Sequence, residues 1–285
     1  MTDTPFPVRS DGKLTVALVS EVFWEPDGAV RLEQRLDEAA GRGADLALLP
    51  EMPLNAWRPA TKDATDDDAE TEGGPRTQIM AAAANRAGIG LVGGIIHRDP
   101  DTGRRTSRAL VFSPNGGVVA RYEKLHLPEE PGFWETSHYE PGNEAPHRID
   151  EFGLPFGVQV CSDTNRPEGT HLLGAQGAMA VLIPRASEER TYQRWKTVFR
   201  ANAVTSCLYV LSVNRPFPED GVPIGGPSIA VDPRGEVLLE TTDTIGLVTL
   251  DSSDVRDARA DYPGHLPVRA RLYADAWAEV ARRDG

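Results

Sequence analysis

Three apolar, strand-like runs of the 285-residue chain each end in a residue able to do chemistry. Cys161 follows Phe156-Gly157-Val158-Gln159-Val160 and precedes Ser162-Asp163-Thr164-Asn165-Arg166-Pro167-Glu168. Val158 and Val160 alternate as in a strand, and the fixed φ of Pro167 suits a first helical turn. A cysteine at such a turn has its sulfur at the C-terminal edge of a sheet, facing helix N-terminal N–H groups. There a thiolate is stabilised and an oxyanion can be received. Taken alone, Cys161 reads as a small buried apolar residue, as most free cysteines are. Two further segments change that. Asp45-Leu46-Ala47-Leu48-Leu49-Pro50-Glu51 ends in a proline and a carboxylate, and Arg121-Tyr122-Glu123-Lys124 ends in an amine. The Asn115-Gly116-Gly117 turn, apolar on both sides, puts Lys124 at the end of a hairpin's second strand. One charge past one strand is ordinarily a solvated loop residue. Glu, Lys and Cys at three strand ends, 73 and 37 residues apart (124−51, 161−124), point to a gathered site.

The motifs Leu-Leu-Pro-Glu at 48–51, Tyr-x-Lys-x-His-Leu-Pro at 122–128 and Cys-x-Asp-x-x-x-Pro-Glu at 161–168 resemble the nitrilase superfamily of carbon–nitrogen hydrolases. Weaker matches follow at Asn214-Arg215, Gly226-Pro227-Ser228 and Asp232-Pro233-Arg234-Gly235, so the resemblance covers residues 14 to 250 in order. The segment from Lys124 to Glu135 (KLHLPEEPGFWE) looks most like the carbamoyl-amide branch, with its N-carbamoylputrescine amidases and β-ureidopropionases. The resemblance implies that Cys161 is the nucleophile, Glu51 the general base, Lys124 the catalytic lysine and Glu135 a second, supporting glutamate. It also implies a four-layer αββα sandwich, where periodicity alone gives only mixed α/β.

These residue types suit amide hydrolysis through a covalent intermediate. Sulfur attacks as the thiolate, and a nearby carboxylate takes its proton, passes it to departing ammonia and later activates water. The tetrahedral intermediate carries an oxyanion, which the Lys124 cation and the Ser162 N–H would hold; losing one such donor costs about 3 kcal/mol. Glu135 would keep Lys124 charged and orient Glu51. A Glu–Lys–Glu cluster kept for stability alone is an uneconomical use of buried charge, since apolar packing serves as well.

Strands are expected over residues 14–20, 46–50, 90–97, 108–113, 117–122, 157–161, 178–184, 208–213, 227–231, 236–240 and 246–250. Helices are expected over 29–42, 78–87, 169–176 and 188–206, the last with Tyr192, Trp195, Phe199 and Asn202-Ala203 as a core stripe. The chain reads as one domain over 1–285, with 1–13 flexible. Its tail, 251–285, contains an amphipathic helix over 272–282, and in relatives such tails pack across a dimer interface, which implies a homodimer or higher homo-oligomer. The competing reading has the helix packing on its own core.

Two stretches bear on substrate choice. Residues 58–75 (RPATKDATDDDAETEGGP) hold six acids against Arg58 and Lys62. They read as a solvated loop, or as a mobile rim drawing in a cationic substrate. Arg166 stands where the family pattern has an aromatic residue, and Thr164 and Asn165 replace the arginines of D-carbamoylases, which weakens an N-carbamoyl amino acid substrate. Arg166 would pair with a neighbouring acid or hold a substrate carboxylate. Trp134, Arg166, Arg185 and the acidic loop are the candidate selectivity residues. His126 has no second ligand at metal spacing, so a structural hydrogen bond is expected of it and neither metal nor cofactor is called for. A net charge of −13 argues against nucleic-acid or anionic-membrane partners. Two cysteines and the lack of an apolar leader or spanning run point to the cytoplasm. The expected function is thiol-dependent hydrolysis of a small amide or N-carbamoyl amine. Nitrile hydrolysis is the same-chemistry alternative, and a non-catalytic binding protein on the same fold is the alternative of another class.

Overall fold

Alternation along the strands sets the architecture. In the computed structural model, which describes residues 11–284, β1 (Lys13–Val19) sends Val16 and Leu18 to one face and Ala17 and Val19 to the other. The first pair meets Leu182 and Leu211 of a second sheet; the other pair packs on Leu32 and Leu36 of α1 (Gly28–Gly41). In β9 (Ala180–Arg185), Ala180 and Leu182 face the inter-sheet core, whereas Val181 and Ile183 meet Leu173 of α3 (Pro167–Ala175) and Phe199 of α4 (Tyr192–Ser206). With α2 (Pro75–Ala87) beside α1, the result is the αββα sandwich that the resemblance implied.

The six-stranded sheet has the order β13-β1-β2-β3-β4-β5, with β2 at Leu46–Leu48, β3 at Gly90–Arg98, β4 at Arg105–Phe112, β5 at Val118–Glu123 and β13 at Ile245–Asp251. The five-stranded sheet has the order β12-β11-β10-β9-β8, with β8 at Phe156–Val158, β10 at Tyr209–Asn214, β11 at Ser228–Val231 and β12 at Val237–Thr241. β2 and β3 are parallel, and β4 is antiparallel to both β3 and β5, so β2 and β5 end on the same side. β8, β9 and β10 are also mutually parallel. The two C-terminal edges touch where the Glu51 N–H donates to the Arg185 carbonyl at 3.5 Å.

Three expectations need correction. The strand read over 157–161 stops at Val158, and Cys161 instead opens a 3-10 turn, Cys161–Asn165. The tail contains an unforeseen helix, α5 (Ser252–Ala260), whose Val255 joins the inter-sheet core. Asp251 caps it by accepting from the Ser253 N–H at 2.8 Å, a signal the sequence did carry in Asp-Ser-Ser-Asp. Lys13 belongs to β1 rather than to a flexible leader, and residues 1–10 lie outside the described residues. α6 (Ala270–Asp284) does not pack on the core: Leu272, Tyr273, Trp277 and Val280 are all exposed. Among the described residues, no helix is long and apolar enough to cross a membrane.

The inter-sheet layer should dominate stability. Leu182→Ala, at a fully buried position, is expected to cost about 2–5 kcal/mol in urea unfolding, whereas Leu238→Ala on the exposed face of β12 should stay within about 0.5 kcal/mol. Equal costs at the two positions would contradict this layering.

Candidate active site

Each chemical residue stands just past a strand. Glu51 follows β2 and Lys124 follows β5. Glu135 opens a 3-10 turn after a short hairpin, β6 (Glu129–Glu130) and β7 (Phe133–Trp134), whose Pro131-Gly132 turn has Gly132 at φ 85°. Cys161 has φ 48°, a conformation non-glycine residues rarely adopt, and so does Met52 next to Glu51, at 46°. Such backbone persists only where its surroundings enforce it.

The structure brings Glu51, Lys124, Glu135 and Cys161 together, each less than 5% exposed. The Lys124 ammonium donates to Glu51 Oε1 at 2.9 Å and to both Glu135 oxygens at 2.6 Å. Burial alone would lower the Lys124 pKa, but the Glu135 and Glu51 carboxylates outweigh it and hold the group well above its usual range. Burial pushes Glu135 up, as does the Glu51 charge, while Lys124 pulls it down. The Cys161 thiol is pushed up by burial and by the Glu51 charge, with Lys124 opposing; its Sγ lies 3.3 Å from the Ala186 carbonyl oxygen. The sulfur is thus placed to donate a hydrogen bond to that carbonyl. Glu51 Oε2 is buried without a hydrogen-bond partner among the described residues. Buried acceptors are rarely left so, and this one can receive a proton.

Two residues that the sequence reading left without a role hold these parts in place. Asp163 accepts from the Leu125 and His126 N–H groups at 3.1 and 2.9 Å, from the Tyr122 hydroxyl at 2.9 Å and from the Val160 N–H at 3.3 Å. It thereby ties the Cys161 turn to the segment that carries Lys124. Its place in the Cys-x-Asp motif was the available signal. Arg215 pairs with both oxygens of Glu219 at 2.7 Å and donates to the carbonyls of Glu51, Met52 and Asn55 at 2.8 to 2.9 Å. It fixes the loop bearing Glu51, a role that a lone Asn-Arg pair in sequence does not reveal.

The expected selectivity residues separate. Ser162 follows Cys161 at the start of the 3-10 turn, where first-turn amides have no intrahelical acceptor, and its hydroxyl donates to the His126 carbonyl. His126 has the structural hydrogen bond expected of it, with Nδ1 2.8 Å from Asp163. Trp134 sits beside Glu135 with the Lys62 ammonium 4.1 Å from its ring centre. Arg166 is exposed and has no acid partner among the described residues. It lines an outer cavity of about 460 Å³ with His126, Leu172 and Trp277, which includes none of the four buried residues, so the pairing expected of it is not formed. Arg185 is not a rim residue at all: it is fully buried. The 58–75 loop is exposed over residues 61–67, as a solvated loop would be, but four of its six acids are paired. Asp66, Asp68, Glu70 and Glu72 pair with Arg98, Arg105, Arg76 and Arg121, and Glu70 exchanges backbone bonds with β3. Its negative charge is largely neutralised by arginines of the neighbouring elements.

A buried cysteine, lysine and glutamate pair at the shared edge of an αββα sandwich defines a member of the nitrilase superfamily. The carbon–nitrogen hydrolase family model matches residues 20–260, and the chain belongs to that family: a hydrolase of carbon–nitrogen bonds outside peptides. It is 28% identical to the omega-amidase NIT3 of Saccharomyces cerevisiae, over 92% of this chain and 96% of that one. It is 30% identical to the chloroplastic omega-amidase of Arabidopsis thaliana, over 85% of this chain and 68% of that one. A carbon–nitrogen hydrolase from Helicobacter pylori shares the fold, with a TM-score of 0.83 at 20% identity over 93% of this chain and 98% of that one. These two curated relatives are omega-amidases, whereas the 124–135 segment pointed to carbamoyl amidases.

If Asp163 links the Cys161 turn to the Lys124 segment, replacing one of its acceptor oxygens should loosen both. Asp163→Asn should lose about 3 kcal/mol in urea unfolding and Tyr122→Phe about 1 to 2, because bonds to a charged acceptor are worth roughly 1.5–3 kcal/mol each. Both variants should also slow Cys161 alkylation by iodoacetamide. Wild-type stability in Asp163→Asn would remove the proposed tie.

Proposed function

We propose that the protein hydrolyses the terminal amide of a small molecule, releasing ammonia through a thioester on Cys161. The observation that carries this reading is Glu51 Oε2, without a hydrogen-bond partner among the described residues, in a cluster that also holds the Cys161 thiol and an ammonium fixed by two carboxyls. In the reaction, Glu51 takes the thiol proton as sulfur bonds to the amide carbon. The oxyanion is held by Lys124 and the Ser162 N–H. Collapse breaks the C–N bond, and Glu51 returns the proton to the leaving nitrogen, giving ammonia. A water then loses a proton to Glu51 and attacks the thioester, freeing the carboxylic acid and the thiol. Glu135 keeps Lys124 charged and in register. Complete burial of the cluster favours a small substrate, and the names of the matched omega-amidases favour an ω-amide. The second reading, an N-carbamoyl amine, rests on the 124–135 segment. The neutralised acidic loop gives no added support for its cationic members.

Ammonia release over ω-amides, carbamoyl amines, carbamoyl acids and nitriles decides among these. ω-Amides should be turned over fastest, and activity confined to nitriles would overturn the reading. Glu51→Gln should keep the melting temperature within a few degrees and lose on the order of 10²-fold or more in kcat, since Lys124 keeps Glu135 as its partner. Lys124→Met should lose activity and about 3–5 kcal/mol of stability as well, because two buried carboxylates are left facing each other. That separates Lys124, which also supports the fold, from Glu51.

We also propose that the chain works as one catalytic unit that assembles as a homodimer or higher homo-oligomer through its 251–285 tail. The exposed apolar face of α6 supports this, whereas α5 belongs to the core. Removing residues 266–285 should leave a folded protein and lower its mass in light scattering to that of a monomer; an unchanged oligomer would exclude α6 as the contact.

A further inference from the structure

Among the described residues, two arginines are fully buried at strand ends, and they are treated differently by their surroundings. Arg215 has a carboxylate partner in Glu219. Arg185, the last residue of β9, has none among the described residues. It lies on the Ile183 face of the strand, toward α4, with the rings of Trp195 and Phe199 each 5.6 Å from its guanidinium carbon. Its Nε donates to the Ser212 hydroxyl at 3.1 Å and its Nη2 to the Pro227 carbonyl at 2.8 Å, while Nη1 donates to the Ser187 hydroxyl. All three acceptors are neutral. A buried cation without a counter-charge is costly, and the cost is offset only if negative charge stands elsewhere in its field.

Groups able to carry negative charge stand in the buried cluster, which Arg185 meets through its backbone. There the Glu51 and Glu135 carboxyls share one ammonium, and the Cys161 sulfur takes on negative charge when it gives up its proton. Arg185 adjoins this cluster through its backbone. Its own carbonyl accepts from the Glu51 N–H, and the carbonyl of the next residue, Ala186, accepts from Cys161 Sγ. Burial lowers the Arg185 pKa to about 10, and the Cys161 charge acts in the opposite direction.

We propose that Arg185 is the counter-charge of the catalytic cluster: it favours negative charge on Cys161 and, through the Ser187 hydroxyl, holds in place the Ala186 carbonyl to which the thiol points. Arg185 touches no reacting atom and acts as a positioning residue. The inference rests on the reading of Cys161 as nucleophile. The titratable groups facing this region are Glu51 past β2, Lys124 past β5, Glu135 on its 3-10 turn and Tyr192 at the start of α4. The first three are left unchanged by the variants below.

The test is the pH dependence of Cys161 alkylation by iodoacetamide, followed at that residue by peptide mass spectrometry so that Cys207 is read separately. Arg185→Met keeps the length and the contact with Trp195 and Phe199 but removes the charge. Its alkylation midpoint should rise by roughly 1 pH unit, the smaller end of what one nearby charge does, with kcat for amide hydrolysis falling about tenfold and KM little changed. Arg185→Lys keeps the charge and should keep the midpoint, even where its melting temperature falls. If Arg185→Met does not fold, Arg185→Gln replaces it. An unchanged midpoint in the uncharged variant, or an equal rise in Arg185→Lys, would overturn the proposal and leave Arg185 as packing. Alkylation needs no turnover, so a shifted midpoint in a protein that hydrolyses no amide would refute the functional reading and leave this one standing.

Discussion

An ammonium group shut away from water must be met by negative charge or lose its proton, and Lys124 is met from two directions. Glu51 comes from the end of β2 and Glu135 from a turn beyond β5, so the ion cluster forms only if both segments arrive at the same edge of the sheet. The rest of the site depends on this constraint. The parallel arrangement of β2 and β3, with β4 reversed between β3 and β5, makes the relevant strand ends point one way. The second sheet must then stack with its own parallel ends at the same level, which brings Cys161 over the cluster and Arg185 against it.

Stacking two sheets through apolar faces fixes their separation but not the loops between strand ends. Those loops carry backbone polar groups that cannot remain buried and unpaired. The chain meets this with single charged side chains that accept or donate several times. Asp163 gathers three backbone N–H groups and a phenol, and Arg215 serves three carbonyls while held by Glu219. Charge-assisted bonds of this kind are short and directional, which suits elements that must keep reacting groups in register. The unusual backbone at Cys161 and Met52 is the local consequence: these residues are bent to fit anchors on either side.

The loop at 58–75 shows how composition can mislead. Six acids in eighteen residues look like an exposed charged stretch. Arginines of β3, β4 and β5, distant in sequence, pair with three of them and Arg76 of the adjoining α2 with a fourth, and one acid, Asp68, is completely buried. The loop is thus tied to the sheet edge by ion pairs while much of its length stays exposed.

The sequence alone determined a good deal. Apolar runs marked the strands closely, because the central strands are buried on both faces, one against the second sheet and the other against helices. The meeting of Glu51 and Lys124 near the Cys161 turn was legible because the family pattern puts these residue types at strand ends, and the expectation for Glu135 followed the same pattern. What the sequence left undetermined was every property that depends on a partner far along the chain. Nothing in the neighbours of Arg185 says that it faces α4 rather than solvent. Nothing near Asp163 announces that it joins two strand ends, and the α5 segment is too short and polar for periodicity to betray it. Burial and ion pairing are properties of pairs of segments, and only the tertiary structure, by bringing both members together, decides them.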